Sequence, residues 1–359
     1  MTPDGPSLVP LSVGVSALTL VESAMGGTEA YFSGLVSALA RSDVRMVVHA
    51  PWGAGTVNGV PTVVHASRAS ERVIDRLLHL ARLSVHPGWL VKGGRVDVIH
   101  YPFTVPLPSS RGIPHVVTLH DVQHLALGHN FTRPELAYRS IAYDRSARRA
   151  DAVITDSEFS KGEIVKYLGI PPEKVHVVHL GLEADLTPAP RSREQFVLYP
   201  ARRWPHKNHG RLLDAVALLR EDRPSLRLVL TGGGKLLADA PPWVDQLGVV
   251  PRETLLELYR RAACLAFPSL YEGFGMPPLE AMAVRCPAAV STRGSLPEVC
   301  GDEVEYFDPL DVGSIAGAVD RAMAATPARV DAAEAHARQF TWERAAAEHI
   351  RIFREVALQ

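Results

Sequence analysis

The stretch that most constrains this chain is Pro268 to Pro287, PSLYEGFGMPPLEAMAVRCP, in which Glu272 and Glu280 stand eight positions apart. Between them lie Gly273, Gly275 and Pro277-Pro278. The apolar run Ala263 to Phe267 reads as a buried strand, and Leu279 to Val284 as a helix. A chain that leaves a strand, crosses a glycine loop and enters a helix builds a place for an anion. Gly273 and Gly275 let the backbone come close to a ligand. The free N–H groups at the helix start carry partial positive charge. Pro278 fits the first helical turn, where a missing N–H costs nothing. Pro277, just before another proline, is expected to stay extended. Glu280 then falls in the first turn, where its carboxylate can accept hydrogen bonds from a diol such as a ribose. Glu272 faces whatever lies beyond the phosphates. Either glutamate alone reads as a helix-dipole partner or a solvated loop acid; the whole unit carries the ligand reading.

At 359 residues the chain exceeds one comfortable core, so two domains are expected. Its net charge of −1 and ordinary apolar content argue against a nucleic-acid binder or a disordered chain. Cys264, Cys286 and Cys300 sit in apolar or small-residue contexts without metal-ligand spacing, which reads as inert thiols in a reducing compartment. The start MTPDGPSLVP lacks the basic region of a signal peptide, and no apolar run reaches about 18 residues. A cytoplasmic protein is expected.

Strands and helices alternate along both halves. Leu8 to Leu20 reads as a first strand, followed by Gly26-Gly27 and a helix from Ala30 to Ala40. A Gly-Gly turn between strand and helix suits a phosphate or sugar hydroxyl, or is simply a tight turn. Arg68 to Val91 reads as a basic amphipathic helix. An ordinary surface helix is the favoured reading, with weak contact on the inner face of a membrane left open. Pro114 to Leu119 is a buried strand ending in His120-Asp121, where His120 can bond a sugar hydroxyl or shuttle a proton. Arg133 to Ala150 is helical. Leu186 to Gln195 is the linker candidate. A strand from Phe196 to Tyr199 leads into Ala201-Arg202-Arg203-Trp204-Pro205-His206-Lys207-Asn208. Arg202 and Lys207 flank a strand-end loop, where fixed cations neutralise a pyrophosphate. Lys207 weighs more because lysine is scarce here. Thr231 to Lys235 is a glycine turn without dinucleotide-site or P-loop spacing. Gln246 to Val250 is a short strand. Ser295-Leu296-Pro297-Glu298 matches a capping box, which makes Glu298 structural.

The alternation implies an α/β protein of two doubly wound, Rossmann-like domains facing a cleft. Residues 1–185 form the first, 186–195 the linker and 196–340 the second. Here the chain resembles a retaining family-4 glycosyltransferase of the GT-B fold, over nearly its whole length. The resemblance rests on Gly26-Gly27, TLHD (Thr118 to Asp121), DAVITDSEFSK (Asp151 to Lys161), ARRWPHKN, Gly232-Gly233, PSLYEGFGMPPLEAMA and GSLPEV. It implies that residues 341–359 cross back to the N-terminal domain. It further implies that Arg202 and Lys207 hold the diphosphate of a nucleotide-sugar and that Glu280 binds its ribose. Glu272, with Gly273, Phe274, Gly275, Met276, Pro277 and Leu279, contacts donor sugar and phosphates. Gly233 lines the donor site, and backbone near Val250 meets the base. His120, with Glu272, acts at the donor sugar, and Gly26 and Gly27 border the acceptor. No metal ion or other cofactor is implied. Ala201 departs from the family's usual Gly, and Met276 from its common Leu. The GSLPEV and HDVQHL segments resemble mannosyltransferases of polysaccharide or lipid-linked acceptors, which points to GDP-mannose. A UDP- or dTDP-sugar donor, a GT-B sugar-nucleotide epimerase and a non-catalytic nucleotide-sugar sensor stay open; glycine spacing argues against a dehydrogenase. Oligomeric state is not readable.

Overall fold

The computed structural model of the protein describes residues 10–19, 27–51, 59–65, 95–107, 110, 112–183, 185–188, 193–235, 237 and 239–359. Gly26 and the 68–91 segment lie outside the described residues. By its contacts the chain divides into two compact units. Unit 1 holds residues 1–156, 161–181 and 342–359; unit 2 holds 157–160 and 182–341.

Unit 1 is built on a seven-stranded parallel sheet: β1 (Ser12–Ser16), β2 (Arg45–Pro51), β3 (Thr62–His65), β4 (Val98–Tyr101), β5 (His115–Thr118), β6 (Ala152–Thr155) and β7 (Val175–Val177), ordered β3-β2-β1-β4-β5-β6-β7. Unit 2 carries a six-stranded parallel sheet: β8 (Glu194–Pro200), β9 (Arg227–Thr231), β10 (Val244–Gly248), β11 (Ala262–Phe267), β12 (Ala288–Ser291) and β13 (Glu305–Phe307), ordered β10-β9-β8-β11-β12-β13. Helices follow most strands, so both faces of each sheet are covered and the central strands read as unbroken apolar runs. β4, β6 and β11 are buried at every position. Each sheet reverses its order once, between β1 and β4 in unit 1 and between β8 and β11 in unit 2. Loops leaving the C-terminal ends of such strands run apart and leave a crevice.

Several boundaries differ from the sequence reading. β8 begins at Glu194, two residues early, because Glu194 pairs with Ala262 and its carboxylate takes both Nε (2.6 Å) and Nη2 (2.9 Å) of Arg261. β10 ends at Gly248 rather than Val250: a register shift and a left-handed Gly248 (φ 67°) stop the ladder, leaving Val249 80% exposed. The expected 133–150 helix is broken into Arg133–Arg139, a π-turn at Ser140–Asp144 and Arg145–Arg149. Such a turn adds a residue to the helix. Asp144, at its end, meets the buried His124 at 2.9 Å. No described helix is long and apolar enough to cross a membrane.

The helix Trp342–Ala357 belongs to unit 1 and lies against the helix Gly27–Leu39. Gly34 allows this close approach, since any side chain there collides with the Trp342 ring. A buried polar chain joins the two helices to the sheet. His349 Nδ1 donates to the Ala345 carbonyl at 2.8 Å, so Nε2 of the neutral ring accepts from the Tyr31 hydroxyl at 2.9 Å. The Tyr31 oxygen then accepts from Thr118 (2.9 Å), whose own oxygen accepts from His100 Nε2 (2.8 Å). Burial holds His349 neutral and lowers it from 6.5 to about 4, against the opposing pull of its bond to the Ala345 carbonyl. Burial likewise lowers His100 well below 6.5. A depressed histidine contributes stability that is complete above its unfolded value and is lost as pH falls through its folded one. Melts between pH 7 and pH 4 are therefore expected to show an acid-side loss that is shallower in His349→Gln. Equal slopes for the two proteins would remove His349 from the account.

Candidate active site

In unit 2 the loop after β8 and the loop after β11 emerge side by side at the point where the strand order reverses. Here the structure brings Lys207 and Glu272 together: Lys207 Nζ lies 2.5 Å from Glu272 Oε1, with both side chains largely buried. Lys207 is held from several directions. It ends the 3₁₀ turn Pro205–Lys207, and the Tyr199 hydroxyl donates to its carbonyl at 2.6 Å. Asn208, left-handed at φ 58°, anchors the turn through Nδ2 to the carbonyls of Pro268 (3.2 Å) and Pro309 (2.7 Å). The ammonium also sits 5.5 Å from the centre of the Phe267 ring. Arg202 is exposed and lies 5.8 Å from the centre of the Trp204 ring; Arg203 Nη2 bonds Gln246 Oε1 at 2.7 Å. The β9 turn is tied to this loop by Ala201 N to Thr231 O (2.9 Å) and Arg203 N to Gly233 O (3.0 Å). Val250 is half-buried and lies beyond β10.

The Glu272–Gly275 loop is fastened through its carbonyls. Ser295 Oγ donates to Glu272 O (3.1 Å) and Phe274 O (2.7 Å), and Ser157 Oγ donates to Gly273 O at 2.6 Å. Gly275 caps the helix Met276–Ala283 at φ 100°, where a side chain is strained and its Cβ would lie 2.6 Å from Leu296 Cδ2. The sequence reading needs correction at three points. Pro277 is helical rather than extended, because both prolines fall in the first turn, where their missing N–H groups are not needed. That turn then offers an N–H group from Met276 but none from Pro277 or Pro278, so this helix start has fewer free donors than usual. Because the helix opens at Met276, Glu280 lies in the second turn, not the first. The side chains of Phe274 and Leu279 are buried.

Glu280 is 8% exposed and already partnered: Arg252 Nη1 reaches Oε1 at 2.5 Å and the Tyr259 hydroxyl donates to Oε2 at 2.9 Å. Burial raises its pKa, and the attraction of Arg252 and the two hydrogen bonds offset this only in part. Arg252 and Tyr259 went unnoticed in the sequence, although seven residues apart on one helix they share a face. The expected capping box is absent. Ser295 turns to the Glu272 loop, and Glu298 accepts from the N–H groups of Glu158 (2.8 Å) and Phe159 (3.1 Å).

In unit 1, Thr118 of β5 pairs with Ile154 of β6, so the residues two further along, His120 and Asp156, reach the same level beyond the sheet. His120 Nδ1 lies 2.7 Å from Asp156 Oδ2. The neighbouring Asp121 instead accepts from the Gln123 N–H at 3.0 Å and closes a local turn. Gly27 is exposed and starts its helix.

A family model for glycosyl transferases group 1 matches residues 187–339, and one for glycosyltransferase family 4 matches residues 25–186. The chain is 28% identical over 341 residues to the O-antigen chain mannosyltransferase B of Escherichia coli, covering 84% of this chain and 89% of that protein. It is 31% identical over 309 residues to the D-inositol 3-phosphate glycosyltransferase of Streptomyces scabiei (strain 87.22), covering 72% and 68%. Among solved structures it resembles sucrose-phosphate synthase from Thermosynechococcus elongatus (TM-score 0.74, 18% identity, 96% and 99% coverage). It also resembles Anabaena Alr3699/HepE in complex with UDP and glucose (TM-score 0.69, 19% identity, 95% and 99% coverage). With two parallel doubly wound units and both models matched in order, the chain belongs to the family-4 glycosyltransferases of the GT-B fold.

Proposed function

We propose that this glycosyltransferase moves a hexose, with retention and without a metal ion, from a nucleotide-sugar to a hydroxyl of a glycan, lipid-linked or small-molecule acceptor. The observation that carries the reading is the meeting of Lys207 and Glu272 where the strand order of unit 2 reverses. An ammonium has three N–H donors. One bond to Glu272 aims Lys207 and leaves the others for a diphosphate. As the glycosidic bond breaks, charge develops on that leaving group, and a cation already in place stabilises it without reorganisation. Arg202, on the same loop, adds a second charge. Glu272 takes the donor sugar's hydroxyls. The Glu280 carboxylate, with one bond on each oxygen, keeps acceptor capacity for the two hydroxyls of a ribose. The Gly273–Leu279 and Gly233 backbone lines the phosphates, and backbone near Val250 meets the base. The acceptor hydroxyl attacks from the face the leaving group departs, giving its proton to the leaving phosphate, with His120 acting at the sugar and Gly27 beside the acceptor.

GDP-mannose is the donor we favour, because the relative from Escherichia coli is named a mannosyltransferase. A UDP-sugar is the second reading, since the Anabaena neighbour is described with UDP and glucose. A thermal-shift panel of GDP, UDP, dTDP and ADP separates them. A ligand at a hundred times its Kd adds about 2.7 kcal/mol to stability. GDP is expected to raise the melting temperature of wild type and not of Lys207→Ala. A response to UDP alone would overturn the mannose donor, and no response to any nucleotide would overturn the donor site.

A further inference from the structure

His120 is gripped on one side of its ring and, among the described residues, unpartnered on the other. Nδ1 lies against Asp156 Oδ2 at 2.7 Å, and Asp156 is 3% exposed. The Tyr31 ring meets the imidazole edge-on, with centroids 4.8 Å apart and planes at 87°. Tyr31 is itself fixed through its hydroxyl to Thr118 and His349. Nε2 has no hydrogen-bond partner among the described residues. A buried polar atom left unpaired on an otherwise satisfied ring is costly unless a ligand completes it.

We propose that Asp156 is a positioning residue for sugar transfer: it takes the Nδ1–H of His120, fixes the ring's tautomer and orientation, and so makes Nε2 the nitrogen that meets a donor-sugar hydroxyl. This rests on the transferase reading given above for His120. A carboxylate on one imidazole nitrogen sets the role of the other. The pair comes from the parallel register of β5 and β6, not from neighbours in sequence, so it is as rigid as the sheet. The charged and titratable groups facing the ring are Asp156 from the end of β6, Asp121 beside it, Tyr31 from the Gly27–Leu39 helix, His100 from β4 and His349 from the Trp342–Ala357 helix. Burial lowers His120, but Asp156, with a smaller part from Asp121, outweighs it and raises the ring above 6.5. His100 and His349 are held neutral by burial. The form in which Nε2 donates is thus complete at low pH and lost as pH rises through the raised value. Replacing Asp156 brings that loss to lower pH.

The test follows the imidazole nitrogens of His120 by NMR in the full chain from pH 5 to 9, in wild type and Asp156→Asn, with His120→Ala to assign the signals. Wild type is expected to show Nδ1 protonated throughout; Asp156→Asn is expected to show mixed tautomers and a lower titration midpoint. Turnover of the nucleotide-sugar is expected to fall about a hundredfold, the low end of what a positioned acid or base supplies. Donor KM should change little, and the alkaline limb should move to lower pH. Adding Asp156→Asn to His120→Ala should cost nothing more, whereas a general structural role would add its own loss. Unchanged nitrogen shifts in Asp156→Asn would overturn the pairing. Changed shifts with an unchanged pH–rate profile would keep the pairing but take His120 out of the chemistry, which also overturns the proposal. Neither outcome touches nucleotide binding in unit 2, which the thermal-shift panel reads separately.

Discussion

Lys207→Ala is expected to lower kcat/KM for the nucleotide-sugar by about 10²–10³, the loss typical of removing one preorganised group from a developing negative charge. The reason lies in how little else can replace it. Two of the first three positions of the adjoining helix are proline, so the helix start is poor in N–H donors. Arg202 is exposed and screened by water, where a charge is worth less. Lys207 is largely buried and pinned by the Tyr199 hydroxyl, Asn208 and Glu272. The substitution also strands the Glu272 carboxylate, a cost of about 1–3 kcal/mol for a buried polar group without its partner. Melting temperature and kcat/KM must therefore be measured together. Lys207→Arg is expected to recover stability better than rate, because a planar fork does not reproduce a point charge at the end of a flexible stem. Full activity in a stably folded Lys207→Ala would remove the lysine from the leaving-group site.

Arg252→Leu carries the second large effect, and it is an effect on stability. It leaves the Glu280 carboxylate buried with the Tyr259 hydroxyl alone, and breaking a buried ion pair on one side costs about 3–5 kcal/mol. Burial already raises Glu280, and losing Arg252 raises it further. A carboxyl whose folded pKa lies above its unfolded one costs nothing below the unfolded value and progressively more as pH climbs through the folded one. The gap between variant and wild type is therefore expected to be widest at pH 7 and above and to shrink toward pH 4. Urea melts at those two pH values check it. A gap independent of pH would mean that the loss comes from the packing of the arginine's stem and not from the stranded charge.

The strands were legible because a parallel sheet covered on both faces needs continuous apolar runs, and Ala263 to Phe267 or Pro114 to Leu119 are such runs. Glu272 and Lys207 were legible as candidates because they sit in loops at strand ends, and Glu280 because of its spacing from Glu272 across the glycine loop. Their partners were not. Asp156 rather than Asp121 holds His120, because strand pairing brings two distant loops to one level while Asp121 closes a turn of its own. Ser295 and Glu298 have the spacing of a capping box, yet tertiary partners take both side chains: the carbonyls of the Glu272 loop and the N–H groups of Glu158 and Phe159. Pro277 was misread because the rule for a residue before proline is a preference, and here the helix start overrides it. Local pattern reports which residues are available; which of them meet is decided by the order and register of strands.

The place of Trp342–Ala357 in unit 1 sets a timetable. A ribosome makes the first strands of that unit early, yet the helix that covers Gly34, Tyr31 and His100 is made only after all of 182–341. Domains generally mature in the order they leave the ribosome. Here unit 2 is finished first, while the unit begun earlier waits with the seat for its closing helix empty.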